Sequence, residues 1–231
     1  PSVASRVAQV SGVQATTPFV YTEAMLSAES NASGIILLGI DPDTITTVTN
    51  LEQTLIQGKL DKLLTSHLSN MRPGSPNLPG ILIGKELAKN LGLFYLDEVT
   101  VISPLGEQTP MGMVPKMKKF RVVGIFESGM YEYDTKWTYI SIPSAQQFFQ
   151  MGDTVTGIEI KVDNAYQAHT IAKNIQQRLG IYYQTRDWME MNKNLFSALR
   201  LEKIVMFIIL ILIVLVAAFG IISILIMMVM E

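Results

Sequence analysis

The most apolar stretch of the chain lies at its C-terminal end. Residues 204–230 form a run of 27 residues without a charged side chain. A helix rises about 1.5 Å per residue, so the run reaches about 40 Å, against about 30 Å for the hydrocarbon core of a bilayer. The pattern predicts a transmembrane helix, and its position and length exclude a signal peptide.

A second apolar pattern precedes this run and has the period of a helix. Large apolar residues recur at spacings of three and four: Trp188, Met191, Leu195, Phe196 and Leu199. Such spacing places side chains on one face of a helix. We therefore predict an amphipathic stalk helix over residues 187–203 that continues into the span without a break.

The first 186 residues alternate between strand-like and helix-like patterns. Strand-like runs occur at "VQATTPFVY", "GIILLGID", "ILIG", "DEVTVISP", "KFRVVGIFES", "KWTYISIP" and "TGIEIKV". Helical spacing occurs at residues 2–10, 85–92, 143–151 and 164–179, and more weakly at 44–68, where Gly58 interrupts it. The mixture predicts an α+β domain with a β-rich middle at residues 72–142, followed by one transmembrane helix.

Composition removes several classes of function. The net charge is −2, so no basic field favours nucleic acid, and the chain has no cysteine for disulfides, thiolate catalysis or zinc. His67 and His169 lie far apart in sequence, and neither has a second ligand at metal spacing. We therefore expect no catalytic residue, no metal and no cofactor on this chain.

Two further stretches resemble sites only weakly. "GILIGKE" fails as a phosphate-binding loop, because the glycine spacing is wrong and Glu86 replaces the hydroxyl that holds magnesium. "ESGMYEYD" brings together Glu127, Glu132 and Asp134, which suit a shared proton or a metal ion. Since the spacing of a calcium loop is absent, we interpret this stretch as an exposed acidic loop.

The stretch "TPMGMVPKMKKF", residues 109–120, is apolar for a loop. About 14 residues separate two strands suited to a hairpin, whereas hairpin loops usually have two to five. Two interpretations remain: a proline-stiffened loop whose methionines dock a partner, or a loop that folds back and buries them. The lysines either steer an acidic partner or keep an edge strand soluble: Lys116, Lys118 and Lys119.

The span itself carries a group of small residues. Ala217, Gly220 and Ser223 lie within one part of the apolar run. Small residues let membrane helices approach closely, although glycine and alanine are also common in such helices. Helix packing and ordinary membrane composition are the two interpretations.

The sequence leaves the orientation in the membrane in conflict. Four basic residues precede the span: Arg186, Lys193, Arg200 and Lys203. The positive-inside rule applied to this flank alone would place it in the cytoplasm. The chain begins with Pro1 and stops at Glu231 beside the span, so we expect it to be part of a larger membrane protein.

Several stretches together resemble the lipoprotein-releasing ABC transporter permeases of the LolC/LolE type, in the MacB-like superfamily. "LFSALRLEKIVMFIILILIVLVAAFGIISILIMMVME" is similar to their stalk and second span, and "GIILLGIDPD", "ILIGKELAKNLGL" and "DEVTVISP" to their periplasmic domain. "TPMGMVPKMKKFRVVGIF" resembles the hook of LolC, whereas "AQQFFQMGDTVTGIEIKVDNAYQA" is more similar to LolE.

The resemblance implies a two-lobed periplasmic domain, a Porter-like lobe with an inserted β-rich Sabre-like lobe. It divides the chain as follows: Porter-like lobe, residues 1–71 and 143–186; Sabre-like lobe, 72–142; hook loop, 109–119; stalk, 187–203; transmembrane helix, 204–230. It also implies four spans in the whole permease, and it places residues 1–203 in the periplasm and the helix in the bacterial inner membrane, against the basic flank.

The resemblance also implies partners and roles. An ABC ATPase of the LolD type hydrolyses ATP with Mg, a second permease subunit pairs with this one, and the periplasmic chaperone LolA receives lipoprotein cargo taken from membrane lipid. The chaperone-docking hook corresponds to Pro110, Met111, Gly112, Met113, Val114 and Pro115. Leu195, Phe196, Leu199 and Phe207 are candidates for lipoprotein contact, with helix packing as the alternative.

Three alternatives stay open. An efflux permease of the MacB type, or an FtsX-like subunit that activates cell-wall hydrolases, would share the fold and the stalk. A membrane-anchored sensor ectodomain is an alternative from another class. Because the chain mixes LolC-like and LolE-like segments, we also hypothesise a single permease that pairs with itself.

Overall fold

The alternating stretches of the sequence form strands of a mixed sheet in a computed structural model, which describes residues 3–28, 31–64, 77–104, 106–109 and 112–231. Within these residues the strands are β1 (Val13–Ala28), β2 (Asn31–Ile40), β3 (Leu55–Gly58), β4 (Gly80–Gly84), β5 (Glu98–Ile102), β6 (Glu107–Thr109), β7 (Gly112–Val114), β8 (Met117–Phe126), β9 (Trp137–Ser141) and β10 (Gly157–Val162).

The helices of the described residues connect these strands and follow them. They are α1 (Val3–Ala8), α2 (Pro42–Val48), α3 (Lys85–Leu91), α4 (Tyr131–Lys136), α5 (Ile142–Phe149), α6 (Ala168–Leu179), α7 (Trp188–Met191) and α8 (Lys193–Met230). Contacts divide the chain into two units, Pro1–Asp163 and Asn164–Glu231. The first unit contains the sheet, and the second contains α6 and the two helices after it.

The main sheet closes on itself. Its strand order is β10-β1-β2-β9-β4-β8-β3, and β5 pairs with both β1 and β8. Six strands therefore form a closed circuit: β1, β2, β9, β4, β8 and β5. The β2–β9 and β4–β8 pairs are parallel and the other pairs antiparallel.

The length of β1 makes this closure possible. Its 16 residues pair with β10 from Val13 to Phe19 along one edge and with β5 from Met25 to Ser27 further along. Its other edge pairs with β2 over Phe19–Ala28. One strand thus joins three neighbours, and its two halves serve different parts of the sheet.

Alternation along the strands separates two apolar clusters. Leu26, Leu37 and Phe120 belong to the larger cluster, which also contains Leu87 of α3 and Phe148 of α5. Neighbouring residues of a strand point to opposite sides of the sheet, and the second cluster lies on the other side. It contains Leu38, Ile40 and Phe126 together with Ile45 of α2. These fully buried side chains supply the main stabilising term of the unit, about 1.5–3 kcal/mol for each large aliphatic or aromatic residue.

The weak helical pattern predicted for residues 44–68 is wrong for Leu55–Gly58, which forms β3 and pairs with β8. Gly58 has φ +89°, and a Cβ there would lie 2.1 Å from the Val123 carbonyl oxygen. The close approach of the β3 backbone to the β8 backbone at Gly58, rather than a pattern of side chains, therefore determines the position of this strand. Residues 65–68 of the predicted stretch, and residues 69–76 after it, lie outside the described residues.

The sheet joins segments that the resemblance assigns to different lobes. β2 from residues 1–71 pairs with β9 from residues 72–142, and β1 pairs with β5. The α+β class is confirmed by this mixed architecture. The division into Porter-like and Sabre-like lobes stays a prediction.

Candidate functional site

The predicted hook lies between two paired strands. β5 and β8 form an antiparallel pair from Glu98↔Arg121 to Ile102↔Met117, and the Ser103 N–H donates to the Lys116 carbonyl oxygen at 2.9 Å. The intervening chain contains a second hairpin, in which Thr109 pairs with Gly112. The hook therefore belongs to an outer hairpin, β6–β7, which lies in the connection between the paired strands β5 and β8.

This arrangement corrects the prediction of a loop throughout residues 109–119. Gly112–Val114 is strand β7, paired with β6, and Met117 already belongs to β8. Gly112 has φ +118°, a conformation that residues with a Cβ rarely adopt, so glycine suits the start of β7. Pro110 and Met111 lie outside the described residues, and so does the side chain of Met113.

The described part of the hook and its root is apolar and exposed. Val114 is 50% exposed and Met117 is 63% exposed. Together with Pro115, Lys116, Lys118 and three residues of the α5 region they line an open groove of about 450 Å³, whose other residues are Gln147, Phe148 and Gln150. A methionine and a valine kept in solvent at the base of a proline-flanked hairpin are suited to contact a partner surface.

Two of the three lysines at the hook root, Lys118 and Lys119, have different surroundings. Lys118 donates from Nζ to Gln147 Oε1 at 2.6 Å and lies 5.9 Å from the centre of the Phe120 ring. Partial burial lowers the pKa of Lys118 below its ordinary value. Lys119 is more exposed, with Nζ 3.8 Å from Glu98 Oε2. Lys119 is thus available to a partner, whereas Lys118 holds α5 against β8.

The predicted stalk is interrupted. Trp188–Met191 forms α7, and α8 starts at Lys193, so the expectation of one unbroken helix from residue 187 is wrong. Asn192 stands between them with φ −103° and ψ 28°, and its Nδ2 donates to the Trp188 carbonyl oxygen at 2.7 Å. An asparagine side chain that bonds nearby backbone competes with helical hydrogen bonding, which explains the interruption.

The candidates for lipoprotein contact do not share one environment. Leu195, Leu199 and Phe207 are exposed by 56%, 49% and 63% on α8. Phe196 instead packs edge-to-face on Trp188, with ring centres 5.3 Å apart. Leu199 and Phe207 line a shallow apolar groove of about 600 Å³ along the helix, beside Glu202 and Lys203. Helix packing and lipid contact both suit these exposed residues.

The helix α8 is long and apolar enough to span a bilayer, and it alone meets this test among the described residues. A Cβ added at Gly220 would meet no atom within 4 Å outside the nearby backbone of its own helix. The Ser223 hydroxyl donates to the Phe219 carbonyl oxygen at 2.9 Å, so its polar group is satisfied inside the helix. Close packing of Ala217, Gly220 and Ser223 against another helix stays a prediction.

The second unit contains a histidine–carboxylate contact that the sequence pattern does not predict. His169 Nδ1 lies 2.7 Å from Asp187 Oδ2, and Asp187 is only 6% exposed. Backbone hydrogen bonding from Glu190 is the main cause that lowers the pKa of Asp187, assisted by His169 and opposed by burial. An N-capping aspartate before an apolar helical run was the available sequence signal, but the distance of 18 residues hid the histidine partner.

The acidic stretch is not an exposed loop throughout. Tyr131–Lys136 forms α4, and Asp134 is 4% exposed. Its Oδ1 accepts from the N–H and the hydroxyl of Ser128 at 2.8 and 2.7 Å, while Glu127 pairs with Lys85 at 2.8 Å. These carboxylates hold turns and neighbouring helices. No group of three potential metal ligands occurs among the residues the structure describes, and His67 lies outside them.

A comparison with known families decides the classification. The profile of the MacB-like periplasmic core domain matches residues 1–178. The chain belongs to this family. Since the core domain is periplasmic and a helical span follows it, the chain is an inner-membrane protein with a periplasmic segment, as predicted against its basic flank.

Curated relatives of this MacB-like chain are named as parts of lipoprotein-releasing systems. It is 36% identical over 211 residues to the lipoprotein-releasing system transmembrane protein LolC of Xylella fastidiosa strain Temecula1, covering 91% of this chain and 48% of that protein. It is 34% identical over 223 residues to LolC of Neisseria meningitidis serogroup B, covering 95% of this chain and 51% of that protein. LolE of Haemophilus influenzae is 22% identical over 227 residues, covering 96% and 50%.

These relatives confirm the resemblance to LolC/LolE-type permeases. The chain spans about half the length of the curated relatives it matches. Among solved structures, the extracellular domain of the ABC-type transporter YknZ has a TM-score of 0.47 and 17% identity, covering 80% of this chain and 87% of that one. The periplasmic region of MacB from Actinobacillus actinomycetemcomitans has a TM-score of 0.47 and 17% identity, covering 77% of this chain and 71% of that one.

Proposed function

We propose that the whole protein containing this chain is the permease subunit of an ABC transporter that releases lipoproteins from the inner membrane. The observation that carries the proposal is the 34–36% identity to two LolC proteins over more than nine-tenths of the chain. The MacB-like core domain and the apolar helix α8 support the permease class. ATP and Mg belong to a partner ATPase of the LolD type, and this chain is a non-catalytic subunit.

The hook supplies the step from membrane to periplasm in this proposal. A lipoprotein acyl chain loses about 0.8 kcal/mol of burial for each methylene exposed to water, so release requires a receiving apolar surface close by. A chaperone of the LolA type held at the hook, residues 110–115, provides that surface. The exposed Val114 and the root residue Lys119 support docking of a partner with apolar and acidic character.

In this proposal, α8 carries the motion that ATP hydrolysis produces at the partner ATPase. α8 runs for 38 residues without interruption, and a helix is stiff enough to carry displacement from the membrane outward. The exposed Leu199 and Phe207 lie on this helix where the charged segment gives way to the apolar run, a position suited to acyl chains that leave the bilayer. A second permease subunit pairs with this one in the proposed transporter.

The test is a release assay with the full-length permease. It is co-purified with its ATPase, placed in proteoliposomes with a triacylated lipoprotein, and supplied with ATP and LolA. We expect ATP-dependent transfer of the lipoprotein to LolA, and none without LolA or with a non-hydrolysable nucleotide. Vigorous ATP hydrolysis without any lipoprotein release would reject the proposal.

The family profile itself favours one second candidate, an efflux permease of the MacB type. In the same vesicles this function predicts nucleotide-driven movement of a small amphiphilic compound and no dependence on LolA. A membrane-anchored sensor predicts neither activity, and finding two more spans after residue 231 in the full gene would exclude it.

A further inference from the structure

The chain after α6 turns back along this helix and is held there by side chains. The Gln176 amide is the first attachment: Nε2 donates to the carbonyl oxygens of Gly180 and Tyr183, and Oε1 accepts from the Thr185 N–H at 2.9 Å. The Thr185 hydroxyl lies 3.0 Å from the Ala172 carbonyl oxygen. Residues 180–187, which we call the strap, therefore run antiparallel to α6.

The strap ends at the beginning of α6. As the strap advances to Asp187 and Trp188, its partners move back to His169 and then to Ala165. The Trp188 Nε1–H donates to the Ala165 carbonyl oxygen at 2.9 Å. The membrane-directed helices thus start beside the first turn of α6, at the end of the strap.

Asp187 joins α6 and α7 through one buried carboxylate, and its neighbour Trp188 extends the connection to α8. Oδ1 accepts from the Glu190 N–H of α7 at 2.7 Å, and Oδ2 lies 2.7 Å from His169 Nδ1 of α6. The neighbouring Trp188 contacts Phe196 of α8 across the interruption at Asn192, with the ring centres 5.3 Å apart. α6, α7 and α8 are therefore connected by two adjacent side chains.

We propose that His169, Asp187 and Trp188 form a coupling joint that transmits displacement of α8 to α6. The strap without helical structure and the break at Asn192 would dissipate such displacement, because neither is stiff as a continuous helix is. The joint bypasses both, since it attaches the start of α7 directly to α6 and braces α8 through the tryptophan ring. These three are positioning residues that act on the moving helices, and the proposal rests on the proposed function.

Four variants of the full-length permease, purified with its ATPase, test the joint. His169→Ala removes the contact to Asp187 but leaves the cap of α7, and His169→Gln restores an amide donor to the carboxylate. Trp188→Phe keeps an aromatic ring against Phe196 but removes the donor to Ala165. Asn174→Ala, at an exposed position of the same helix, is the matched control.

Two quantities are measured for each variant: lipoprotein released per ATP hydrolysed, and hydrogen exchange at the backbone amides of residues 188–192. We expect His169→Ala to lower release per ATP about tenfold and to speed amide exchange by a similar factor, the size expected for one lost hydrogen bond to a charged group. Trp188→Phe should act in the same direction, whereas His169→Gln and Asn174→Ala should behave like the wild type.

The outcomes separate the joint from the proposed function. Unchanged release per ATP in His169→Ala overturns the joint, and so does an equal fall of complex yield, ATP turnover and release, which indicates a structural role only. If the wild-type complex releases no lipoprotein at all, the proposed function fails. Amide exchange then decides the joint alone: faster exchange in His169→Ala supports the attachment, and unchanged exchange rejects it.

Discussion

At the scale of single residues, Gly84 sets the distance between α3 and α4. A Cβ at this position would lie 2.2 Å from the Asp134 carbonyl oxygen and 2.7 Å from the Asp134 Cα. Backbone atoms cannot move aside as a flexible side chain does, so only glycine fits at the end of β4. The close approach explains the second glycine of the "GILIGKE" stretch.

We predict that Gly84→Ala destabilises the protein by about 2 kcal/mol or more, the cost of forcing a methyl group into packed backbone. Gly34→Ala is the matched control, because no atom lies within 4 Å of the added methyl and the strand tolerates alanine. The measurement is the urea midpoint of the detergent-solubilised protein. Equal midpoints for the two variants would contradict the close approach.

Asp187 gives a second residue-scale prediction. Its pKa is lowered in the folded state, chiefly by the Glu190 N–H, so the carboxylate stabilises the fold when it is ionised. This contribution is present above the unfolded value of about 4 and is lost as the pH falls through the lower folded value. We expect the difference in thermal midpoint between wild type and Asp187→Asn to be largest near neutral pH and to shrink on acidification below about pH 4.

The control for this experiment is Asp153→Asn, which changes an exposed carboxylate outside the joint. Its midpoint should follow that of the wild type at every pH. A difference between wild type and Asp187→Asn that stays constant down to the most acidic condition would show that ionisation of Asp187 is not the cause.

At the scale of elements, the hook hairpin is fixed on both sides by the β5–β8 pair, so changes in its side chains need not disturb the sheet. We predict that Val114→Asp or Met111→Asp weakens LolA binding at least tenfold, because a charge enters an apolar contact. Adding Lys119→Glu to either variant should weaken LolA binding further. Lys118→Glu is less informative about docking, because it also disturbs the contact with Gln147.

Tyr166→Asp is a suitable control for the hook variants, since Tyr166 is a large side chain that is 88% exposed and lies outside the hook. Binding is measured with purified LolA and the detergent-solubilised complex. If both hook variants bind LolA as tightly as the wild type, the docking role of residues 110–115 is wrong.

The element scale also shows what the sequence predicts well and why. Strands β1, β2, β4, β5, β8, β9 and β10 follow from the strand-like runs of the sequence, and Gly92 ends α3 in a left-handed conformation as its sequence position indicates. The break at Asn192 does not follow, because the apolar spacing of three and four continues across it. β3 and the His169–Asp187 pair depend on partners far away in sequence, which periodicity does not detect.

At the scale of the whole molecule, the mixture of LolC-like and LolE-like segments bears on assembly. We predict that the complex purified from its own host contains one kind of permease chain, present twice, with two ATPase chains. Native mass spectrometry of the intact complex checks the masses. Two different permease chains in one complex would rule out the self-pairing hypothesis.

The cysteine-free chain makes its topology directly testable. Tyr182 is 91% exposed in the strap, and Val101 is fully buried in the sheet. We expect Tyr182→Cys to react with a membrane-impermeant maleimide in cells with a permeabilised outer membrane, and Val101→Cys to react only after denaturation. Because residues 1–231 contain no cysteine, labelling within this segment comes from the introduced residue, and the unsubstituted protein is the control.

The closed circuit of six strands has a consequence for how such proteins diversify. β5 and β8 pair from Glu98↔Arg121 to Ile102↔Met117, and none of these pairs involves a residue of the outer hairpin. The tip is therefore a replaceable module: it can lengthen, shorten or be exchanged between paralogues while the ring beneath keeps its registers. A chimaera that carries the tip of another permease should keep the fold and adopt the docking preference of the donor.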